Sequence, residues 1–131
     1  MERFTRWLGN YIPSDNETNN PNTEITPIKV ALIDNGVDGT IDLISKRLKG
    51  GISFHKTVDN LGRSRVRSYC GSAGGSHGTL LATLICQVCP EVNLYVARLQ
   101  CDGTGHIVID SAIKVFSSSS YFSISTNYFH I

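Results

Sequence analysis

The chain has 131 residues, a formal net charge of +1 at pH 7 and 40% hydrophobic residues. Its length suits one domain with enough apolar side chains for a packed core. A charge so near zero gives no long-range field for attracting nucleic acid or an anionic membrane. No apolar stretch approaches the roughly 20 residues of a membrane-spanning helix. The composition therefore predicts neither a nucleic-acid partner nor a membrane partner.

Residues 1–27 are predicted to form a polar, disordered tail. Three prolines interrupt it, and its Ser-, Asn- and Thr-rich stretch has too few apolar side chains to build a core. The first ten residues contain no apolar segment of the kind found in secretory signals. The sequence leaves the localisation of the protein unknown.

The pattern changes abruptly at Ile28. Residues 28–33 are apolar without alternation, which is typical of a strand buried on both faces. Asp34 and a glycine turn end this strand. A short amphipathic segment over residues 41–48 is expected next, ended by Gly50 and Gly51 and followed by a short strand over 51–54. The polar and basic residues 55–69 are expected to form a surface excursion.

A helix is predicted to begin at His77, because apolar residues then recur at helical spacing until Pro90. Residues 92–99 predict a second buried strand, and a turn at 102–105 leads into a helix over 109–116. Strand, helix, strand and helix in this order predict an α/β layer fold with a parallel sheet. Residues 117–131 break this pattern and are assigned to an atypical C-terminal segment.

Asp34 and His77 are the candidate catalytic residues. Ligands of open parallel sheets bind outside the carboxyl ends of the strands, where Asp34 is expected. A carboxylate there can orient an imidazole and stabilise the imidazolium that forms during proton transfer. Imidazole has an unperturbed pKa of about 6.5, which lets it accept and return a proton near neutral pH. Asn35 is expected to donate a side-chain hydrogen bond to the Asp34 carboxylate.

Two segments carry a resemblance to the subtilisin-like serine peptidases, the S8 family. They are residues 30–38, Val-Ala-Leu-Ile-Asp-Asn-Gly-Val-Asp, and residues 77–82, His-Gly-Thr-Leu-Leu-Ala. Residues 92–99 and the turn after them also resemble the family's strand and substrate-binding edge. The resemblance implies a partial subtilisin-like domain over residues 28–116. It further implies that Asp34 is the orienting acid, that His77 is the general base, and that a peptide or protein is the substrate. No cofactor or metal is implied.

The chain departs from the family pattern in three places. Leu80 stands where the family has a second histidine, a position peripheral to proton transfer. The nucleophile segment of the Gly-Thr-Ser type is missing, and Asn127 lies in no context that matches the oxyanion-binding asparagine. Loss of the nucleophile alone lowers the rate of such enzymes about 10⁶-fold, so this chain is expected to be inactive by itself.

Two alternative functions remain open from the residues. Gly74–Gly78 satisfies G-x-S-x-G, the nucleophile elbow of α/β-hydrolases, which would make Ser76 the nucleophile of an esterase. That motif needs a strand directly before the serine, yet residues 70–75 are rich in glycine and serine. The other alternative is a non-catalytic domain that binds a peptide along the edge of the strand at 92–99.

Cysteine and acidic residues give little support for a metal. Cys86 and Cys89 have the spacing of zinc ligands, but Cys86 belongs to an apolar helical pattern rather than to a tight knuckle. The thiols are therefore expected to be free, as in a reducing compartment. Asp102 supplies only one carboxylate to its turn, whereas calcium usually takes 6–8 oxygen ligands. The sequence therefore predicts a plain turn there.

Overall fold

A computed structural model describes residues 27–117, which fold into a small sheet with helices on both faces. The strands and helices are β1 (Lys29–Asp34), α1 (Asp42–Ser45), β2 (Leu48–Ser53), β3 (Lys56–Val58), β4 (Ser64–Val66), α2 (His77–Val88), β5 (Asn93–Arg98) and α3 (Ile109–Ser117). The predicted tail, apart from residue 27, and the predicted C-terminal segment, apart from residue 117, lie outside the described residues.

The main sheet has three strands in the order β1-β5-β2, and both pairings are parallel. This confirms the predicted α/β class and its parallel sheet. Asp34 is in register with Arg98 of β5, so the carboxyl ends of the two strands lie side by side. Since β5 is the central strand, both of its edges are already paired. The hypothesis that a peptide adds to the edge of residues 92–99 is therefore wrong.

One expectation for residues 50–69 is wrong, and the expected surface excursion has a structure of its own. Gly50 and Gly51 do not end a segment but lie within β2, opposite Tyr95 and Val96. A side chain at Gly51 would overlap the Val96 carbonyl and the Tyr69 ring, so a residue without a side chain is required there. Within the surface excursion, β3 and β4 form an antiparallel hairpin of their own.

Apolar side chains pack on both faces of the sheet. Alternate residues of the strands share a face, so neighbours such as Val96 and Ala97 belong to separate clusters. The larger cluster lies under α1 and α2 and contains the buried residues Leu32, Val37, Ile44, Ala82, Cys86, Val92, Leu94 and Val96. The smaller one lies under α3 and contains Ala97, Leu99 and Val115. The α2 face is the one that carries the Asp34 side chain.

The crossovers decide on which face α2 lies. The connection from β1 to β2 passes β5, and the connection from β2 to β5 returns in the opposite direction. Ile44 of α1 and Ala82 of α2 belong to the same cluster, so both connections lie on one face. Two such connections must have opposite hands, and one of them is therefore left-handed, which is uncommon. As a result, His77 begins its helix on the same face of the sheet as Asp34.

Candidate active site

The Asp34 carboxylate lies at the carboxyl end of β1, with only 10% of its side chain exposed. Oδ1 accepts a hydrogen bond of 2.7 Å from the backbone N–H of Asn35. Oδ2 lies 2.8 Å from Nδ1 of His77. Both oxygens are thus held by fixed partners. A carboxylate with these contacts presents a fixed, acceptor-only face to the imidazole.

His77 is the first residue of α2, and 69% of its side chain is exposed. An ionised carboxylate can only accept a hydrogen bond, so the neutral ring carries its proton on Nδ1. The lone pair is then on Nε2, which has no hydrogen-bond partner within residues 27–117. The structure therefore brings together the two predicted site residues. It leaves the basic nitrogen of the ring accessible from outside the protein.

Gly78 allows α2 to begin this close to β1. Its N–H donates a hydrogen bond of 3.0 Å to the side-chain oxygen of Asn35. A β-carbon at residue 78 would overlap the carbonyl of Gly36 and would lie 3.2 Å from Cβ of Asp34. The expected hydrogen bond from the Asn35 side chain to Asp34 is therefore wrong. The Asn35 backbone bonds Asp34, while its side chain caps the helix by accepting from Gly78.

Thr79 connects the start of α2 to the turn after β1. Its buried hydroxyl donates to the carbonyl of Ala73 at 3.0 Å and accepts from the N–H of Asp38 at 2.9 Å. Since the single proton of that hydroxyl is already used, the Ser76 hydroxyl is the donor in the 2.8 Å contact between the two side chains. These three contacts fix the helix end that carries His77.

Residues 68–72 hold the turn after β1 from the outside. The backbone N–H of Val37 donates to the Tyr69 carbonyl at 2.9 Å, and the Ser72 hydroxyl donates to the Asn35 carbonyl at 2.8 Å. Gly36 has φ of +91°, a backbone conformation that L side chains rarely adopt. A side chain there would also overlap Ser72 and Arg98. The turn thus depends on glycine for both its conformation and its packing.

Arg98 is the residue near the site that sequence analysis missed. Its side chain is on the α2 face beside Asp34 in register, and only 9% of the residue is exposed. Nη1 donates to the Ser68 carbonyl at 2.6 Å, but the buried Nε has no partner among the described residues. Burial, and then the nearby Arg67 charge, lower the pKa of Arg98. An arginine inside an otherwise apolar strand was the available signal.

Ser76 does not have the surroundings of a nucleophile elbow. Residues 72–75 immediately before it form bends and a turn, not a strand. Its hydroxyl is bonded to Thr79 rather than to a histidine. A nucleophile elbow also needs a histidine further along the chain, and the nominal candidate, His130, lies outside the described residues. The structure therefore gives the esterase hypothesis no support.

No group of three or more His, Cys, Asp or Glu side chains that could hold a metal occurs within residues 27–117. Cys70, Cys86, Cys89 and Cys101 are free thiols. Burial raises the pKa of the Cys86 and Cys101 thiols, which keeps them protonated. Asp102 closes its own turn, where Oδ1 accepts from Thr104 and His106.

The described part of the chain contains no helix long and apolar enough to cross a membrane. A scan against protein-family models, a search of curated proteins and a search of solved structures gave no match. Function must therefore be argued from the site itself, together with the resemblance of its two motifs.

Proposed function

We propose that this chain carries the acid and the base of a subtilisin-like serine endopeptidase. The observation that carries the proposal is the 2.8 Å contact between Nδ1 of His77 and the buried carboxylate of Asp34, with Nε2 directed away from it. Two independent features support the assignment. The acid is the last residue of a parallel strand, and the histidine begins a helix on the same face of the sheet. Either residue alone would be unremarkable at its position.

In this proposal, His77 acts as the general base. Nε2 accepts the proton of a serine hydroxyl as that hydroxyl attacks the peptide carbonyl, and later returns the proton to the departing amine. Asp34 keeps the ring in the tautomer that has a free Nε2 and stabilises the imidazolium while the proton is held. Asp34 stays ionised throughout. This chemistry uses only side chains and needs no cofactor.

The nucleophile is proposed to come from polypeptide outside these 131 residues. The hydroxyls of Ser72 and Ser76, the serines that flank the site, are bonded to the Asn35 carbonyl and to Thr79. Each of these hydrogen bonds also holds the turn or the helix end in place. Recruiting either serine for catalysis would disrupt the geometry of the acid and base.

The tautomer of His77 tests the acid–base arrangement directly. Long-range ¹H–¹⁵N NMR spectra of the neutral ring should show the proton on Nδ1. In Asp34→Asn, Oδ1 still accepts from the Asn35 N–H, so the amide NH₂ must face Nδ1 of His77. The ring should then change to the tautomer with the proton on Nε2, which cannot act as the base.

Asp38→Asn is the matched control, because Asp38 lies in the same turn but bonds Thr40 instead of His77. It should leave the His77 tautomer unchanged. A wild-type ring protonated on Nε2, or a tautomer that Asp34→Asn does not alter, would contradict the proposal.

Activity can be tested by combining the chain with a separately produced C-terminal part of a subtilisin-like catalytic domain that carries the nucleophilic serine. Reassembly should give labelling of that serine by a fluorophosphonate probe. Labelling should be lost with His77→Ala and should persist with Lys29→Ala, a change at the amino end of β1, the end opposite Asp34. Labelling that is independent of His77 would exclude its role as the base.

A further inference from the structure

The hairpin of β3 and β4 concentrates positive charge next to the candidate site. We call residues 55–67 the basic hairpin. It contains four cationic side chains and one carboxylate, so it carries +3, while the whole chain carries only +1. The four cations are Lys56, Arg63, Arg65 and Arg67. The hairpin is therefore a local cationic feature of an otherwise nearly neutral protein.

The carboxylate of the basic hairpin does not neutralise all of this charge. Asp59 Oδ1 accepts from the backbone N–H groups of Leu61 and Arg63, and Oδ2 is 2.8 Å from Nε of Arg63. Arg65 approaches the same Oδ2 only to 3.9 Å, and 69% of its side chain is exposed. Arg67 is also exposed and has no carboxylate within 4 Å in the described part of the chain. Two guanidinium groups are thus available to a ligand.

The spacing of these groups matches an extended peptide. Arg65 lies opposite Thr57 in the antiparallel pairing. Residues 63, 65 and 67 are every second residue along the chain, so their side chains lie on the same face of the hairpin. Along a strand, successive side chains on one face are about 6.8 Å apart. An extended peptide repeats at the same interval. Acidic side chains at every second position of a peptide would therefore meet successive arginines.

The basic hairpin also lies near the site. Its two ends meet where the N–H of Arg67 donates to the carbonyl of His55. The next contact inward is from the N–H of Phe54 to the carbonyl of Arg98, which is the register partner of Asp34. Its first residues therefore leave the carboxyl edge of the sheet, the edge that carries the candidate acid and base.

We propose that the arginine face of the basic hairpin binds extended peptide segments that carry acidic side chains at alternate positions. Nucleic acid fits this surface less well. None of residues 56–67 is aromatic, so no platform is present on which bases could stack, and the net charge of the whole chain provides little steering. Binding of such peptides does not depend on the proposed function. The suggestion that this binding selects substrates does rest on the proposed function.

Binding of three labelled peptides to the full chain tests this inference. The first, Thr-Glu-Thr-Glu-Thr-Glu-Thr, has alternating acids. The second, Thr-Thr-Glu-Glu-Glu-Thr-Thr, has the same composition in a block. The third replaces each Glu of the first with Gln. Fluorescence anisotropy with an uncharged dye should give the tightest binding to the first peptide. The affinity should fall between 50 and 300 mM salt, because exposed ion pairs are screened.

Variants locate the surface. Arg65→Ala and Arg67→Ala should each weaken binding of the alternating peptide by about 2- to 5-fold, as expected for exposed charge pairs. Lys29→Ala, which removes the same charge at the start of β1, should leave it unchanged. Asp34→Asn and His77→Ala should also leave it unchanged, so the outcome is separate from the test of the acid and base. Intact binding after loss of His77 would support the inference even if His77 is not a base.

Three results would overturn the inference. The first is equal affinity for the alternating and block peptides. The second is a loss of affinity in Lys29→Ala as large as that in Arg65→Ala. The third is tighter binding of a seven-nucleotide oligothymidylate than of the alternating peptide at the same salt concentration, which would identify the surface as a nucleic-acid site.

Discussion

Gly78 at the start of α2 packs against the carbonyl of Gly36 in the turn after β1. No room is left for a side chain between the two backbones. The contact brings His77 within hydrogen-bond distance of Asp34, because Gly78 directly follows His77 and the turn directly follows Asp34. The Asn35 side chain reinforces it by accepting the Gly78 N–H. A single close backbone contact thus positions both candidate catalytic groups.

Gly78→Ala is predicted to destabilise the protein and to separate the acid from the base. In an exposed helix, alanine would be favoured over glycine by about 1 kcal/mol. Here the overlap with a backbone carbonyl opposes that gain, because neither backbone can move aside as a flexible side chain would. The expected net loss is about 1–3 kcal/mol in the free energy of unfolding, which urea denaturation would measure.

Gly75→Ala is the control for that measurement, because a β-carbon at Gly75 would have no atom within 4 Å. Its free energy of unfolding should stay within about 0.5 kcal/mol of the wild-type value. If Gly78→Ala proved as stable as Gly75→Ala and kept the Nδ1–H tautomer of His77, the close contact would not be what positions the site.

Variants of Arg98 can separate the effect of a buried charge on the free energy of unfolding from the effect of side-chain packing. The guanidinium is desolvated, and its hydrogen bond to Ser68 leaves Nε without a partner in the described residues. Arg98→Met keeps most of the stem and removes the charge, so its free energy of unfolding should stay within about 1 kcal/mol of wild type. Arg98→Ala also removes the stem that lies beside Gly36 and should cost about 2–4 kcal/mol.

The two Arg98 variants are best compared by urea denaturation at one pH. An Arg98→Met variant as unstable as Arg98→Ala would mean that the hydrogen bond to Ser68, rather than the packing of the stem, holds residues 68–72 against the turn.

The sequence predicted the elements of the sheet and the pair of site residues because both depend on local patterns. Residues 30–33 and 94–97 are continuous apolar runs, and α2 shows helical spacing up to a proline. Asp34 and His77 stand at ends of these elements. The carboxyl ends of parallel strands and the starts of the helices that follow them meet at one edge of the sheet, so the order of the elements predicted a shared edge. That the two residues also lie on one face depends on the left-handed crossover, which the sequence pattern did not predict.

Other features depended on contacts between distant residues and could not be predicted. Gly50 and Gly51 indicated a break, but both lie within strand β2. Glycine is needed at residue 51 because the Tyr69 ring occupies the space that a side chain would need there. The role of Asn35 as a helix cap depends on the position of Gly78, 43 residues later. The central position of β5 depends on the order in which strands pair, which the pattern within one strand does not specify.

The purified chain is predicted to remain unlabelled by fluorophosphonate probes, which react with activated serine nucleophiles. The Ser72 and Ser76 hydroxyls are held by hydrogen bonds to a backbone carbonyl and to Thr79, and neither has an imidazole partner. Intact-protein mass spectrometry after incubation would show any adduct. Labelling of Ser76 in the wild type that disappears in Ser76→Ala would favour the esterase hypothesis instead.

His55 is predicted to make the fold sensitive to mild acid. Burial, followed by the charge of Arg98, lowers the pKa of His55 below its ordinary value of 6.5, with Arg67 adding to the effect and the Leu99 backbone opposing it. A lowered pKa means that the folded state binds its proton less readily than the unfolded state. The neutral His55 ring therefore makes its full contribution to the free energy of unfolding above about pH 6.5. That contribution is lost as the pH falls through the folded-state pKa.

Urea denaturation at pH 7.5 and at pH 5.5 would measure this effect. The wild-type midpoint should fall on acidification, and His55→Asn should show a smaller fall, because asparagine does not titrate. His106→Asn, which removes an exposed histidine, should fall as much as the wild type. Since Nδ1 of His55 is buried without a partner among residues 27–117, protonation would place a second cation beside Arg98, and the Leu99 backbone would offset only part of the cost. Equal falls in wild type and His55→Asn would show that the acid sensitivity comes from other groups.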